Sequence, residues 1–139
     1  MAEHGLHALL LTDRANFEYV SSFLLPPLWS SYTRTLAAVV PARGQPVLLV
    51  PEFVAKEAHA ISSLPVHGYE RIDRRPVDEL AALLRELAPA GGRVGIEKSG
   101  ETRLGMAVDD LVELESLVPH IRLVDGSAAI WQACLEESN

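Results

Sequence analysis

Apolar and polar residues follow one another in short blocks along this chain, and the blocks predict alternating strands and helices. Ala8–Leu11 is a continuous apolar run, which is typical of a strand covered on both faces. Thr12 and Asp13 end this run, and Phe17 and Val20 then give the following segment the apolar side of a short helix. Asp13 is the predicted cap of that helix, because its carboxylate can accept free N–H groups of the first turn. A strand that leads into a capped helix is the first half of a βαβ unit and favours an α/β domain.

The later blocks continue this alternation. Strands at 32–40 and 47–50, joined by a turn that contains Gly44, predict an antiparallel hairpin. Further strands are predicted at 66–69, 94–97 and 121–124, and further helices at 52–61, from Pro76 onward, at 104–117 and from Ala128 onward. Pro76 suits a first helical position because it has no N–H to leave unpaired, and Asp125 or Ser127 is the predicted cap of the last helix. The order β-α-β-β-α-β-α-β-α-β-α predicts a three-layer α/β/α sandwich with a mixed five- or six-stranded sheet.

Size and composition narrow the class of protein. The 139 residues, 48% of them hydrophobic, are enough for one domain with a substantial core. A net charge of −7 disfavours binding to nucleic acid, which requires a positive surface. No apolar run approaches the roughly 20 residues of a membrane-spanning helix, and residues 1–5 lack the features of a signal peptide. We therefore predict a soluble, cytoplasmic protein that binds neither nucleic acid nor membranes.

Candidate chemical groups are scattered through the sequence. The five histidines have no spacing typical of a zinc site, and the single cysteine, Cys134, has no nearby histidine or helix N-terminus to activate it. Four acids fall within one predicted helix, and their spacing favours a solvated acidic face over a calcium loop: Asp109, Asp110, Glu113 and Glu115. We predict no catalytic residue, no metal ligand and no cofactor within this chain.

Two aromatic residues and an arginine follow a proline-rich segment and lie at or just before the start of a predicted strand. Tyr32 and Arg34 are two residues apart and so project from the same face of that strand, close in sequence to Trp29. A guanidinium can grip a carboxylate through two parallel hydrogen bonds, which is the form of contact that a substrate carboxylate requires. The alternative, an arginine that keeps a sheet edge soluble, is the more common use of such a residue. The residues alone leave both interpretations open.

Three segments resemble the N-terminal domain of the creatinase, prolidase and aminopeptidase P family. In 5–23, a strand of the Gly-Leu-Asp-Ala-Leu-Leu type precedes a turn and helix similar to the family's Asp-Pro-x-Asn-x-x-Tyr-x-x-Gly-Phe pattern. The matching residues there are Asp13, Asn16, Tyr19 and Phe23, whereas Arg14 and Ser22 replace the usual Pro and Gly. Arg-Val-Gly-Ile-Glu at 93–97 resembles the family's Val-Gly-Ile-Glu strand. Residues 123–131 resemble the segment that closes the domain.

The resemblance implies a ribonuclease-H-like sheet in a domain at 1–134, with 135–139 starting a connector to a separate catalytic domain. That missing domain would hold two divalent metal ions, manganese, cobalt or zinc. The parent would be an Xaa-Pro dipeptidase or aminopeptidase P, or a creatinase-like amidinohydrolase. It would act as a homodimer on a peptide or small amide.

By the same resemblance, this chain would be non-catalytic, would support dimerisation and would form one wall of the active site of the partner subunit. Trp29, Tyr32 and Arg34 would there contact the substrate. Glu136 and Glu137 stand at the unfavourable, negative end of the last predicted helix, so we expect the protein to continue beyond Asn139. The alternative is a free-standing α/β binding or interaction module without a catalytic partner domain.

Overall fold

A computed structural model describes residues 4–21, 35–61, 63–69, 76–98 and 102–137, without the side chains of residues 61 and 133–137. The strands are β1 (Ala8–Leu11), β2 (Ala37–Pro41), β3 (Val47–Pro51), β4 (Val66–Tyr69), β5 (Arg93–Ile96) and β6 (Arg122–Asp125). The helices are α1 (Arg14–Ser21), α2 (Glu52–Ile61), α3 (Val77–Leu87), α4 (Val108–Leu117) and α5 (Ser127–Glu137). This order confirms the predicted alternation. None of these helices is long and apolar enough to cross a membrane.

The six strands form one mixed sheet in the order β4-β3-β2-β1-β5-β6. β2 is antiparallel to both of its neighbours, β1 and β3, which confirms the predicted hairpin. The pairs β1–β5, β3–β4 and β5–β6 are parallel. Every strand except β2 therefore ends at the same edge of the sheet, which we call the carboxyl edge, and β2 begins there.

The central strand β1 packs against helices on both faces. Leu10, which is fully buried, lies in a cluster with Leu84 of α3 and Leu114 of α4. Leu9 and Leu11, which point to the opposite face, lie in a second cluster with Phe17 of α1 and residues of α2 and α5. The continuous apolar run of β1 is thus explained by burial on both sides, and the predicted three-layer arrangement is confirmed.

Two predicted helix starts are wrong. The predicted helix at 104–117 begins only at Val108, because Gly105 lies against the backbone of Thr12 and residues 102–107 form a connection instead of a helical turn. Pro76 is the residue before α3 and not its first residue, since its φ of −81° and ψ of 50° lie outside the helical region. The predicted strand at 32–40 also begins too early, since Thr35 and Leu36 precede β2, and its residues 32–34 lie outside the described residues.

One expectation about a helix face is also wrong. The predicted acidic face of α4 includes Asp110, yet that residue is only 5% exposed, because it lies four residues before the fully buried Leu114 on the inward side of the helix. Asp109, Glu113 and Glu115 are exposed, as expected.

Candidate functional site

Two neighbouring parallel strands end side by side at the carboxyl edge. β1 is followed by Thr12 and Asp13, which lead into α1, and β5 is followed by Glu97. The register pairs Leu10 with Ile96, so the residues that follow the two strands are brought together. In open α/β sheets this edge is where functional side chains collect.

The carboxylate of Glu97 is the centre of this cluster and is only 2% exposed. Its Oε1 accepts hydrogen bonds from the Thr12 backbone N–H at 2.7 Å and from the Thr12 hydroxyl at 2.8 Å. Its Oε2 accepts from the Asp13 backbone N–H at 2.8 Å and from Asn16 Nδ2 at 2.7 Å. Four donors thus meet the two oxygens of one carboxylate, which has about four lone-pair positions in its ionised, acceptor-only form.

Burial and hydrogen bonding act on Glu97 in opposite directions. Burial raises the pKa of its carboxyl above the ordinary value, because the charged form loses its contact with water. The hydrogen bonds from Thr12, Asn16 and Asp13 lower the pKa, since they favour the charged form, and burial prevails. The carboxylate also lies beside the N-terminal end of α1, where the helix dipole favours a negative group.

Asp13 directly precedes α1, as predicted, but its carboxylate makes no hydrogen bond to the first turn among the described residues, so the predicted side-chain cap is absent there. The backbone N–H groups that precede the helix, those of Thr12 and Asp13, donate to Glu97, which is 84 residues from Asp13 in the sequence. Asp13 contributes its backbone carbonyl, which accepts the Phe17 N–H at 2.9 Å. Sequence reasoning did not single out Glu97, the buried carboxylate at the centre of this edge. The available signal was an acid directly after one buried strand and a turn of Thr, Asp and Asn after another.

The connection 102–107 between β5 and α4 is held at two points of this edge. The Gly105 N–H donates to the Thr12 hydroxyl oxygen at 2.8 Å, and the hydroxyls of Thr102 and Ser127 are 3.2 Å apart. Ser127 in turn donates from its backbone N–H to Asp125 Oδ1 at 3.0 Å and from its hydroxyl at 2.5 Å. Asp125 therefore caps α5, which is one of the two caps predicted there.

At the other end of the carboxyl edge, Tyr69 connects β4 to the segment that precedes β2. This buried residue ends β4, and its hydroxyl donates to the Thr35 carbonyl at 2.8 Å, across β3. Thr35 thus lies at the carboxyl edge, where the chain enters β2. Trp29, Tyr32 and Arg34, the predicted substrate contacts, lie outside the described residues, and their role stays a prediction.

The described part of the chain contains no group of three or more His, Cys, Asp or Glu side chains that could hold a metal ion. Two of the histidines form hydrogen bonds within the domain. His4 Nε2 lies 2.7 Å from Gln132 Oε1, and His7 Nδ1 accepts from the Arg93 N–H at 3.0 Å. Glu97 has its lone pairs engaged by the four donors, so it has no free oxygen with which to take a proton from a substrate. The arrangement holds the backbone of the β1–α1 turn against the end of β5.

The fold and this edge define a three-layer α/β domain in which a buried carboxylate joins two strand ends. The chain belongs to the creatinase/prolidase N-terminal domain family, whose model matches residues 1–133. This confirms the resemblance seen in the sequence. A comparison with curated proteins found no significant match.

Several solved structures share the fold. A proline dipeptidase from Streptococcus pneumoniae TIGR4 is 20% identical, with a TM-score of 0.72 over 96% of this chain and 90% of that one. The N-terminal domain of an Xaa-Pro dipeptidase from Lactobacillus brevis is 22% identical, with a TM-score of 0.72 over 94% and 92%. A prolidase from Thermococcus sibiricus is 17% identical, with a TM-score of 0.73 over 95% of this chain but 33% of its own. The present chain thus spans about a third of that prolidase.

Proposed function

We propose that this chain is the non-catalytic N-terminal domain of a metal-dependent Xaa-Pro peptidase, either a dipeptidase or an aminopeptidase P-like enzyme. In the parent it supports homodimerisation and walls the active site of the partner subunit. The observation that carries the proposal is the family match over residues 1–133. The proposed parent is cytoplasmic, and its two divalent metal ions are held by the catalytic domain.

The geometry of the carboxyl edge is consistent with a wall and not with a catalytic centre. Glu97, the buried acid of this edge, is fully occupied in joining Thr12, Asp13 and Asn16. Thr35 lies at the same edge, directly after the segment that carries the proposed substrate contacts Trp29, Tyr32 and Arg34. We propose that the Arg34 guanidinium there binds a carboxylate of the peptide substrate of the partner subunit.

The first test is the complete reading frame that encodes this chain. We expect a downstream domain with two Asp, one His and two Glu metal ligands. The full protein should hydrolyse an Xaa-Pro dipeptide in the presence of manganese, and the present chain alone should not. In the enzyme the metals would activate a water for attack on the scissile carbonyl. A reading frame without such a domain would leave the free-standing interaction module as the better interpretation.

The second test concerns Arg34 in the full protein. Arg34→Ala should raise KM for the dipeptide, because a charged contact to substrate is lost, while the melting temperature stays nearly unchanged. Arg43→Ala is the matched control, since Arg43 is exposed in the turn between β2 and β3, at the opposite edge of the sheet. Equal kinetics for the two variants would contradict the proposed contact and favour the solvated-edge role of Arg34.

A further inference from the structure

We propose that Glu97 is a positioning residue for the connection 102–107, on which it acts through Thr12. In this scheme the carboxylate orients the Thr12 hydroxyl, and the oriented hydroxyl holds the backbone of Gly105. The hydrogen-bond partners of Glu97 in the described residues are Thr12, Asp13 and Asn16, so its effect reaches the connection through Thr12. It concerns the present chain alone and does not depend on the proposed peptidase function.

The direction of each hydrogen bond supports this relay. The Thr12 hydroxyl has one proton, and it donates this proton to Glu97 Oε1, 2.8 Å away. With its proton so directed, the hydroxyl oxygen presents a lone pair to the Gly105 N–H, also at 2.8 Å. The backbone N–H of Thr12 donates to the same Oε1 at 2.7 Å and so fixes Thr12 itself. Glu97 thus determines both the place and the orientation of the hydroxyl that Gly105 binds.

The close approach of Gly105 to this turn is an independent observation. A Cβ built on Gly105 would overlap the Thr12 carbonyl oxygen and would lie 3.1 Å from the Asp13 nitrogen. The connection therefore lies directly on the backbone of the β1–α1 turn, and its neighbours Leu104 and Met106 pack against the core cluster of α3 and α4. In this arrangement a small displacement of Thr12 is transmitted to the connection.

Chemical rescue of Glu97→Ala tests the relay. Alanine lacks the Cγ and the carboxylate of glutamate, and acetate supplies a methyl group and a carboxylate of the same size. We expect the amide of Gly105 to exchange with solvent at least about tenfold faster in the variant, which corresponds to the loss of a hydrogen bond of about 1.4 kcal/mol. Acetate should restore much of this protection and raise the melting temperature. Propionate, which is longer by one methylene, should rescue less, and sodium chloride at equal ionic strength should not.

Variants of Thr12 test the relay while Glu97 is intact, so they remain informative if Glu97→Ala does not fold. Thr12→Val removes the hydroxyl and should speed exchange at Gly105, while the Asp13 amide keeps its bond to Glu97 and its protection. Thr12→Ser keeps a hydroxyl and should retain protection at both amides. Unchanged exchange at Gly105 in Thr12→Val would overturn the proposal. So would a folded Glu97→Ala variant in which acetate acts no better than chloride.

Discussion

Replacement of Glu97 with glutamine changes one atom of the carboxyl-edge cluster and removes its charge. The glutamine oxygen can still accept from the Thr12 N–H and hydroxyl, which lie 2.7 and 2.8 Å from Glu97 Oε1. The new NH₂ group then faces two donors, the Asp13 N–H and Asn16 Nδ2. Asn16 can rotate its amide to offer its oxygen, but the Asp13 backbone N–H cannot change. One hydrogen bond is therefore lost and one donor is left unpaired.

The size of the effect follows from that single loss. A hydrogen bond to a charged group contributes about 1.5–3 kcal/mol to stability. Part of this loss is offset in the glutamine variant, because burying a neutral amide costs less free energy than burying a carboxylate. We expect Glu97→Gln to lower the free energy of unfolding by about 1–2 kcal/mol at pH 7. Glu115→Gln is the control, because Glu115 is exposed on α4, and it should change stability by no more than about 0.5 kcal/mol.

The pH dependence has a definite sign. Since burial raises the pKa of Glu97 in the folded protein, its contribution to stability is complete below the unfolded pKa and is lost as pH rises through the folded pKa. The glutamine variant has no such titration. The stability difference between wild type and variant should therefore widen as pH falls through the window between the two pKa values, by at most about 1.4 kcal/mol per pH unit.

Urea unfolding followed by circular dichroism at several pH values between 7 and 4.5 measures this difference, with Glu115→Gln in parallel. Wild type and Glu97→Gln share every titrating group except Glu97, so their difference isolates that residue, while the control removes one exposed glutamate instead. A stability difference that narrows as pH falls would refute the reasoning. It would mean that the four donors outweigh burial and hold the pKa of Glu97 below its ordinary value.

Three further predictions concern packing and metal binding. Gly105→Ala should destabilise the chain by at least about 2 kcal/mol in urea unfolding, because the new Cβ would overlap backbone atoms of Thr12; a change near zero would contradict the close approach. Leu10→Ala should cost about 2–5 kcal/mol, since Leu10 is fully buried, whereas Val112→Ala, at a side chain that is 60% exposed, should cost no more than about 0.5 kcal/mol. Calorimetric titration of the chain with manganese, cobalt and zinc should give no stoichiometric binding, and a tight one- or two-site isotherm would contradict this.

The order of elements could be predicted because each signal is local. The apolar run of β1 and the breaks at Pro41 and Pro51 are properties of a few neighbouring residues, and so are the acids in the first turn of α3. The helix at Glu52–Ile61 has the bounds that its sequence predicts. Such features need no knowledge of what packs against them.

The errors lie where tertiary contact decides. Leu104 has the spacing of a helical residue relative to Leu111 and Leu114, but the contact of Gly105 with Thr12 draws residues 102–107 into a connection. Asp110 reads as part of an acidic, solvated face, but the packing of Leu114 against the core turns it inward. In both cases the local periodicity predicts the structure of the neighbouring residues correctly, and a tertiary contact changes the outcome at one position.

Glu97 shows most clearly why the candidate site could not be read from spacing. Local rules assign the cap of α1 to Asp13, because it directly precedes the helix. The carboxylate that meets the turn instead comes from a strand end 84 residues away, and it is brought there by the parallel pairing of β1 with β5. Once that pairing is known, an acid that follows one strand can be expected to accept hydrogen bonds from a donor-rich turn that follows the neighbouring strand. Thr12, Asp13, Asn16 and Glu97, which lie in two of the segments that resemble the family, thus form a single hydrogen-bonded cluster.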